Sequence, residues 1–371
     1  MKIEKNIETK KQNNSFISLF LKIAAFLLIL IAVIVIVCDP FYHYHKPWGF
    51  LKAVLNDKEY QVIGTLRHFD YDTLLVGSSV MENNDNDWYD EAFDCKSIKA
   101  IRSYGATADL CYLLDEAYNS ENEIKYIFYN IDPSALEAST ETTYESTGCP
   151  MYLYDNNPFN DVYYLFNKDV LFEKIPYQIA SSLQSDYDES LSYNWAKWKT
   201  FNQETALGLY QRSLTVSEMH PEDYYVSEYE GNINLLKTQI EAHPETEFTF
   251  FFPAYSMLWW DGIYRSGERD SYIYNEKNAT KELLSYDNVR VFCFQNEPEI
   301  VTDLDNYMDS VHFSMDINRL QLDQIIAGEY ELTLDNYEEA FEELYEFSEK
   351  IVNEYMVPYE EQGLLTYESE E

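Results

Sequence analysis

Apolar and polar positions fall along this chain in blocks of distinct period. The first block is continuous: residues 16–38 are apolar apart from Ser18 and Lys22, and 23–38 is unbroken. At about 1.5 Å per helical residue such a run crosses a hydrocarbon layer of roughly 30 Å, with Lys22 snorkelling toward a headgroup. From residue 71 onward, short apolar runs bounded by turn residues alternate with stretches of helical period. The runs 71–76, 97–101, 125–131, 247–252 and 288–294 predict strands, and the stretches 107–118, 227–242, 274–285 and 315–327 predict helices. The run 125–131 is almost wholly apolar, as in a strand buried on both faces. Strands alternating with helices predict an α/β domain with a mostly parallel sheet and a site at the carboxyl ends of its strands.

Between 139 and 224 the pattern dissolves into residues rich in Tyr, Asn, Asp and Trp. An insertion of this length within an α/β domain predicts a lid or binding rim. At the end of the chain Tyr337, Phe341, Leu344, Tyr345, Ile351, Val352 and Tyr355 share one helical face, and Glu338, Glu339, Glu342, Glu343, Glu346 and Glu349 make the other side acidic. Asp335-Asn336-Tyr337-Glu338 reads as a capping box for this helix, which is expected to pack on the domain. The expected division is a tail (1–15), a membrane anchor (16–38), a juxtamembrane segment (39–70), the α/β domain (71–330, with the insertion at 139–224) and an acidic C-terminal helix and tail (331–371).

Composition sharpens this picture. Thirty-four tyrosines and 21 phenylalanines in 371 residues exclude a disordered chain. A net charge of −40 excludes nucleic-acid binding, because phosphate contacts require an excess of Lys and Arg, and it disfavours peripheral docking on anionic lipid. Charge also orients the apolar run. Lys2, Lys5, Lys10 and Lys11 precede it and Asp39 follows, so the N-terminus is expected in the cytoplasm and everything after Asp39 outside, in the cell membrane's external compartment. A cleaved signal peptide is the rival reading, but no small-x-small site follows the run and Val35-Ile36-Val37 lacks the small residues that precede a lipidated cysteine.

The segment 39–48 is aromatic and broken by prolines, as suits a lipid–water boundary. His43 and His45 alternate like strand neighbours, but no third ligand lies nearby and no metal is expected. Cys38, Cys95, Cys111, Cys149 and Cys293 match no metal knuckle or CxxC pair. Disulfides outside the cytoplasm and small buried apolar side chains are both open readings of them.

Two motifs carry candidate chemistry. Gly77-Ser78-Ser79 ends the first strand run, and Asp309-Ser310-Val311-His312 follows the last. A serine on a sharp turn exposes its hydroxyl, and a histidine oriented by a carboxylate takes its proton. In this order, at strand ends of one α/β unit, they predict a serine esterase or acyl-transfer site.

With these motifs the chain resembles the SGNH (GDSL-type) hydrolase superfamily over about residues 39–330. The first block of that superfamily, Gly-x-Ser, matches Gly77-Ser78-Ser79 with Ser79 as nucleophile. Its last block, Asp-x-x-His, matches Asp309 and His312, and its second-block glycine matches Gly105. The third block, Gly-x-Asn-Asp, is altered: Tyr129-Asn130-Ile131-Asp132-Pro133 has no glycine and carries Asn130 one place out of register. A Gly-Ser-Ser block behind an N-terminal anchor looks most like the membrane-anchored branch, which includes the teichoic-acid D-alanylation protein and polysaccharide O-acetylation proteins.

The resemblance implies a three-layer, flavodoxin-like α/β domain in which Ser79, His312 and Asp309 form the triad. It implies an oxyanion hole from the N–H groups of Ser79 and Gly105 with the Asn130 amide. It implies no cofactor, a cell-envelope glycopolymer as substrate and a membrane acyltransferase as partner, with the bilayer engaged through 16–38. Tyr255, Trp259 and Trp260, beyond the strand 247–252, are placed either to stack on sugar faces or to fill the core. Two functions are open. The intact Ser, His and Asp set points to an enzyme, and the altered third block to an SGNH-fold assembly protein without turnover.

Overall fold

A computed structural model describes residues 2–368, with side chains from 13 onward. Lys2, Lys5, Lys10 and Lys11, on which the expected orientation rests, lie outside the described side chains. The chain divides into two compact units, Met1–Val54 with Pro150–Tyr187, and Leu55–Cys149 with Asp188–Glu371. The expected insertion is therefore split: 150–187 joins the N-terminal unit, while 139–149 and 188–224 belong to the α/β unit.

In the first unit one helix, Lys2–Cys38, contains a stretch long and apolar enough to cross a membrane, Asn13–Cys38. The last carbonyls of a helix have no partner within it. Here the indole of Trp48 donates to the Val37 carbonyl (2.7 Å) and a ring nitrogen of His45 lies 2.8 Å from that of Ile36. The chain then turns at Asp39 in the left-handed region (φ 35°). The buried Asp39 carboxylate repays the turn by accepting from the N–H groups of His43, Tyr44 and His45 and from the Tyr164 hydroxyl. His43 contacts Asp161, so the two histidines serve this bend separately and share no ligand site.

The α/β unit is built on β1 (Thr73–Gly77), β2 (Ser97–Ile101), β3 (Tyr126–Asn130), β4 (Gln211–Arg212), β5 (Glu247–Phe252), β6 (Val289–Cys293), β7 (Glu331–Leu332) and β8 (Thr366–Tyr367). The main sheet has the order β2-β1-β3-β5-β6-β7, parallel except for the antiparallel edge strand β7; β4 and β8 form a separate pair. Every residue of β1 and β2 is buried, the signature of a sheet covered on both faces. That burial includes Lys99 on β2, whose ammonium donates to the carbonyls of Glu82 and Ser192 and whose pKa burial pushes down to about 7.

Three boundaries differ from expectation. The unit begins at Leu55, because the helix Lys58–His68 buries the run from Gln61 to Leu66. A helix absent from the sequence reading, Met257–Ser266, starts where the Ser256 hydroxyl accepts the Leu258 N–H. The C-terminal helix Tyr337–Lys350 packs on Arg269–Leu283, with Arg269 joined to Glu349 and Tyr345, but it has no capping box. Its N-cap is Asn336, whose side chain instead accepts from the Thr333 N–H.

Candidate active site

Parallel β-sheets bind ligands beyond the carboxyl ends of their strands, at the point where the strand order reverses. Here that point lies between β1 and β3. Ser79 follows β1 and Asn130 ends β3. Gly77 permits the approach: a Cβ there would lie 2.9 Å from the Asn130 Cβ and 3.0 Å from the Met81 Cβ, closer than side chains pack. The turn leaves Ser79 partly exposed, with the Met81 N–H closing onto the Ser78 carbonyl.

Asp309 and His312 arrive on a loop tied down from both sides. Tyr307 and Phe313 form an antiparallel bridge, and Met308 donates to the His312 carbonyl. Ser256, just past β5, gives both its N–H and its hydroxyl to the Ser310 carbonyl, and Tyr307 donates to that of Ala254. Behind the loop the helix Met315–Ala327 supplies Asn318, which donates to the Val80 carbonyl beside Ser79.

The result is a relay. The Ser79 Oγ lies 2.7 Å from His312 Nε2, and His312 Nδ1 lies 2.7 Å from an Asp309 oxygen. The other Asp309 oxygen accepts from the N–H groups of Val311 and His312. A carboxylate only accepts, so Nδ1 carries the ring proton and Nε2 presents a lone pair to the serine hydroxyl. Burial alone would raise the Asp309 carboxyl, but the His312 ring and these two N–H groups outweigh it and hold Asp309 below its usual value.

The proposed oxyanion donors have different fates. The Ser79 N–H makes no hydrogen bond among the described residues. Asn130 is 1% exposed, and both its amide atoms lack a hydrogen bond of ordinary geometry. The Gly105 N–H, by contrast, is taken up by the Arg102 carbonyl at 3.0 Å in a tight turn. The aromatic group beyond β5 is mostly interior. Tyr255 and Trp260 are buried and Trp259 is half-buried between them and Tyr272, so these rings pack on one another and present no open stacking face.

Two further groups at the site were given no role from the sequence. Trp195, within the tyrosine- and tryptophan-rich stretch, donates its indole N–H to the Ser79 carbonyl and sets its ring edge-on to His312 at 5.1 Å. It is pinned there because the Asn83 side chain accepts from the N–H groups of Trp195 and Ala196. Asp132, just past β3, accepts from the Tyr255 hydroxyl at 2.5 Å. Burial raises its carboxyl above the ordinary range despite the Ser78 and Tyr255 hydroxyls, the Asn130 amide and the His312 ring nearby. Nothing in a lone tryptophan marks Trp195, which only the fold brings to Ser79, and Asp132 stands in the altered third block with no role assigned to it there.

Among the described residues no group of three His, Cys, Asp or Glu could hold a metal ion, and Cys38, Cys95, Cys111 and Cys293 form no disulfide. Cys111 and Cys293 are buried as small apolar side chains are. Comparison of the chain with known protein families, with curated proteins and with solved structures found no match.

Proposed function

We propose that this chain is a membrane-anchored, extracytoplasmic serine esterase or O-acyltransferase acting on acyl esters of cell-envelope polymers. The observation that carries the reading is the relay from Asp309 through His312 to Ser79, two 2.7 Å hydrogen bonds of which the second joins residues 233 apart in sequence. The order of the parallel strands supports the resemblance to the SGNH hydrolases. Counted within the main sheet they stand second, first, third, fourth, fifth, the order that a flavodoxin-like reading expects.

In this reading Ser79 Oγ attacks the ester carbonyl as His312 Nε2 takes its proton, and the carbonyl π pair moves onto oxygen. The Ser79 N–H and the Asn130 amide receive that oxyanion. Collapse breaks the bond to the alcohol, which leaves with the proton from His312. Water or a sugar hydroxyl then attacks the acyl-serine, His312 again acting as base, and Ser79 is released. Asp309 holds the imidazole in its tautomer throughout and stabilises the imidazolium. Asn13–Cys38 anchors the chain, with a membrane acyltransferase as the partner the resemblance suggests.

A second reading is an SGNH-fold assembly protein of an envelope-modification complex, without turnover. The engaged Gly105 N–H and the missing third-block glycine favour it. Labelling the detergent-solubilised full chain with a fluorophosphonate distinguishes the two. An activated serine is labelled in the wild type and in neither Ser79→Ala nor His312→Ala. A folded wild type that takes no label supports the second reading.

A further inference from the structure

The first unit contains a cavity unrelated to the triad. It has a volume of about 520 Å³, within the range of small-ligand pockets. Its walls are mainly apolar, with Val37, Trp48, Leu51 and Tyr42 facing Ile179 and Leu183 from the helix Ile175–Ser182 and its end. At its edge Phe50 is 79% exposed and Leu183 69% exposed, a costly arrangement in water.

The position of the cavity follows from the helix that lines it. Asn13–Cys38 is 26 residues, about 39 Å at 1.5 Å per residue, against a hydrocarbon layer of roughly 30 Å. Val37 and Cys38, its last two residues, form part of the cavity wall. A helix that spans the bilayer therefore opens this cavity at the boundary between acyl chains and headgroups, where Trp48 and Tyr42 are also at home.

Charge narrows the occupant. Lys52 lines the cavity, and its ammonium donates to three backbone carbonyls, those of Gln184, Ser185 and Tyr187. Among the described residues no carboxylate forms an ion pair with it, in a chain of net charge −40. The Asp39 carboxylate on the same wall is already satisfied by three N–H groups and the Tyr164 hydroxyl. An apolar cavity with one fixed cation at its edge, at headgroup depth, matches an acyl chain joined to a phosphate. Because the ammonium's donors are used, it acts on that phosphate as a charge and not as a hydrogen-bond donor.

We propose that this cavity is a phospholipid site, holding one acyl chain of a bilayer phospholipid with the phosphate near Lys52. The inference rests on the membrane-anchor reading but not on catalysis. The test is the full chain reconstituted in phosphatidylcholine vesicles doped with phosphatidylcholine bearing a diazirine on one acyl chain, irradiated and mapped by peptide mass spectrometry. Adducts are expected on 37–52 and 175–183 at several times the level found along 16–33. Ile179→Trp and Leu183→Trp, partly exposed positions that accept a larger ring, should lower cavity adducts several-fold and leave those along 16–33 unchanged. Lys52→Glu should lower them as well. Cavity labelling no greater than helix labelling, or unchanged by filling, overturns the proposal. Failure of the protein to float with vesicles, with no helix adducts, overturns the anchor reading instead.

Discussion

Single atoms set the chemistry of this site. Because Asp309 fixes the proton on His312 Nδ1, Asp309→Asn puts a competing donor against the ring and favours the wrong tautomer. A fall of about 10⁴-fold in kcat is expected, with the fold retained by circular dichroism. Asn130 gives a sharper test, since its buried amide makes no hydrogen bond of ordinary geometry among the described residues. If it receives the oxyanion, Asn130→Ala should cost about 3 kcal/mol of transition-state stabilisation, seen in kcat with KM nearly unchanged. A purely structural Asn130 would instead lower the melting temperature and spare kcat. Gly77→Ala should be damaging at the same place, because the added methyl meets Asn130 and Met81, and overpacking of this kind costs about 1–3 kcal/mol.

Elements are held by a few buried polar contacts. The largest joins β4 to the helix Met257–Ser266: Arg212, 2% exposed, donates from two nitrogens to Asp261, 0% exposed, which also accepts from Tyr210. Removing Asp261 leaves Arg212 only its ion pair with the half-exposed Glu360, so Asp261→Ala should destabilise the protein by about 3 kcal/mol, the low end for breaking a buried pair, read as a lower denaturation midpoint. Met257–Ser266 begins at Ser256, which anchors Ser310. The same variant is thus expected to loosen the Asp309 loop and reduce serine labelling more than stability alone explains. Trp195 depends likewise on Asn83 and on the buried Lys99, which ties Ser192 to β2. That stretch follows no period in sequence because its order comes from these contacts and not from a regular backbone.

At the scale of the molecule, buried acids and excess negative charge act in the same direction. Burial pushes Glu276 up to about 8, with the Gln295 amide its one hydrogen-bond partner, and raises Glu137, Glu82 and Asp132. A carboxyl whose folded pKa is raised binds its proton more tightly in the folded state. Its contribution is complete below the unfolded value and is lost as pH climbs through the folded one. The melting temperature should therefore fall between about pH 5 and pH 8, and Glu276→Gln should flatten that slope. Asp309 and Asp72 are lowered, so their contributions are lost only in stronger acid. With a net charge of −40, added salt at pH 8 should raise the melting temperature by screening self-repulsion.

Much of this was legible without coordinates. The strands 97–101 and 247–252 and the helices 107–118 and 315–327 match the structure to the residue, because burial on a sheet or one helix face leaves a period in the order of residues. The apolar run ending at Cys38 was equally plain. The spacing of Gly77-Ser78-Ser79 and of Asp309-Ser310-Val311-His312, each local, marked the three residues that come together. Tertiary structure decided what depends on distant partners. It turned Tyr255 and Trp260 inward, spent the Gly105 N–H on Arg102, brought Trp195 to Ser79 and joined Tyr255 to Asp132. It also divided the aromatic stretch between two units and enclosed the cavity at the end of the apolar helix. A period records which face of an element is buried; it carries no information about which distant element buries it, and a polar atom's role follows from the partner that reaches it first.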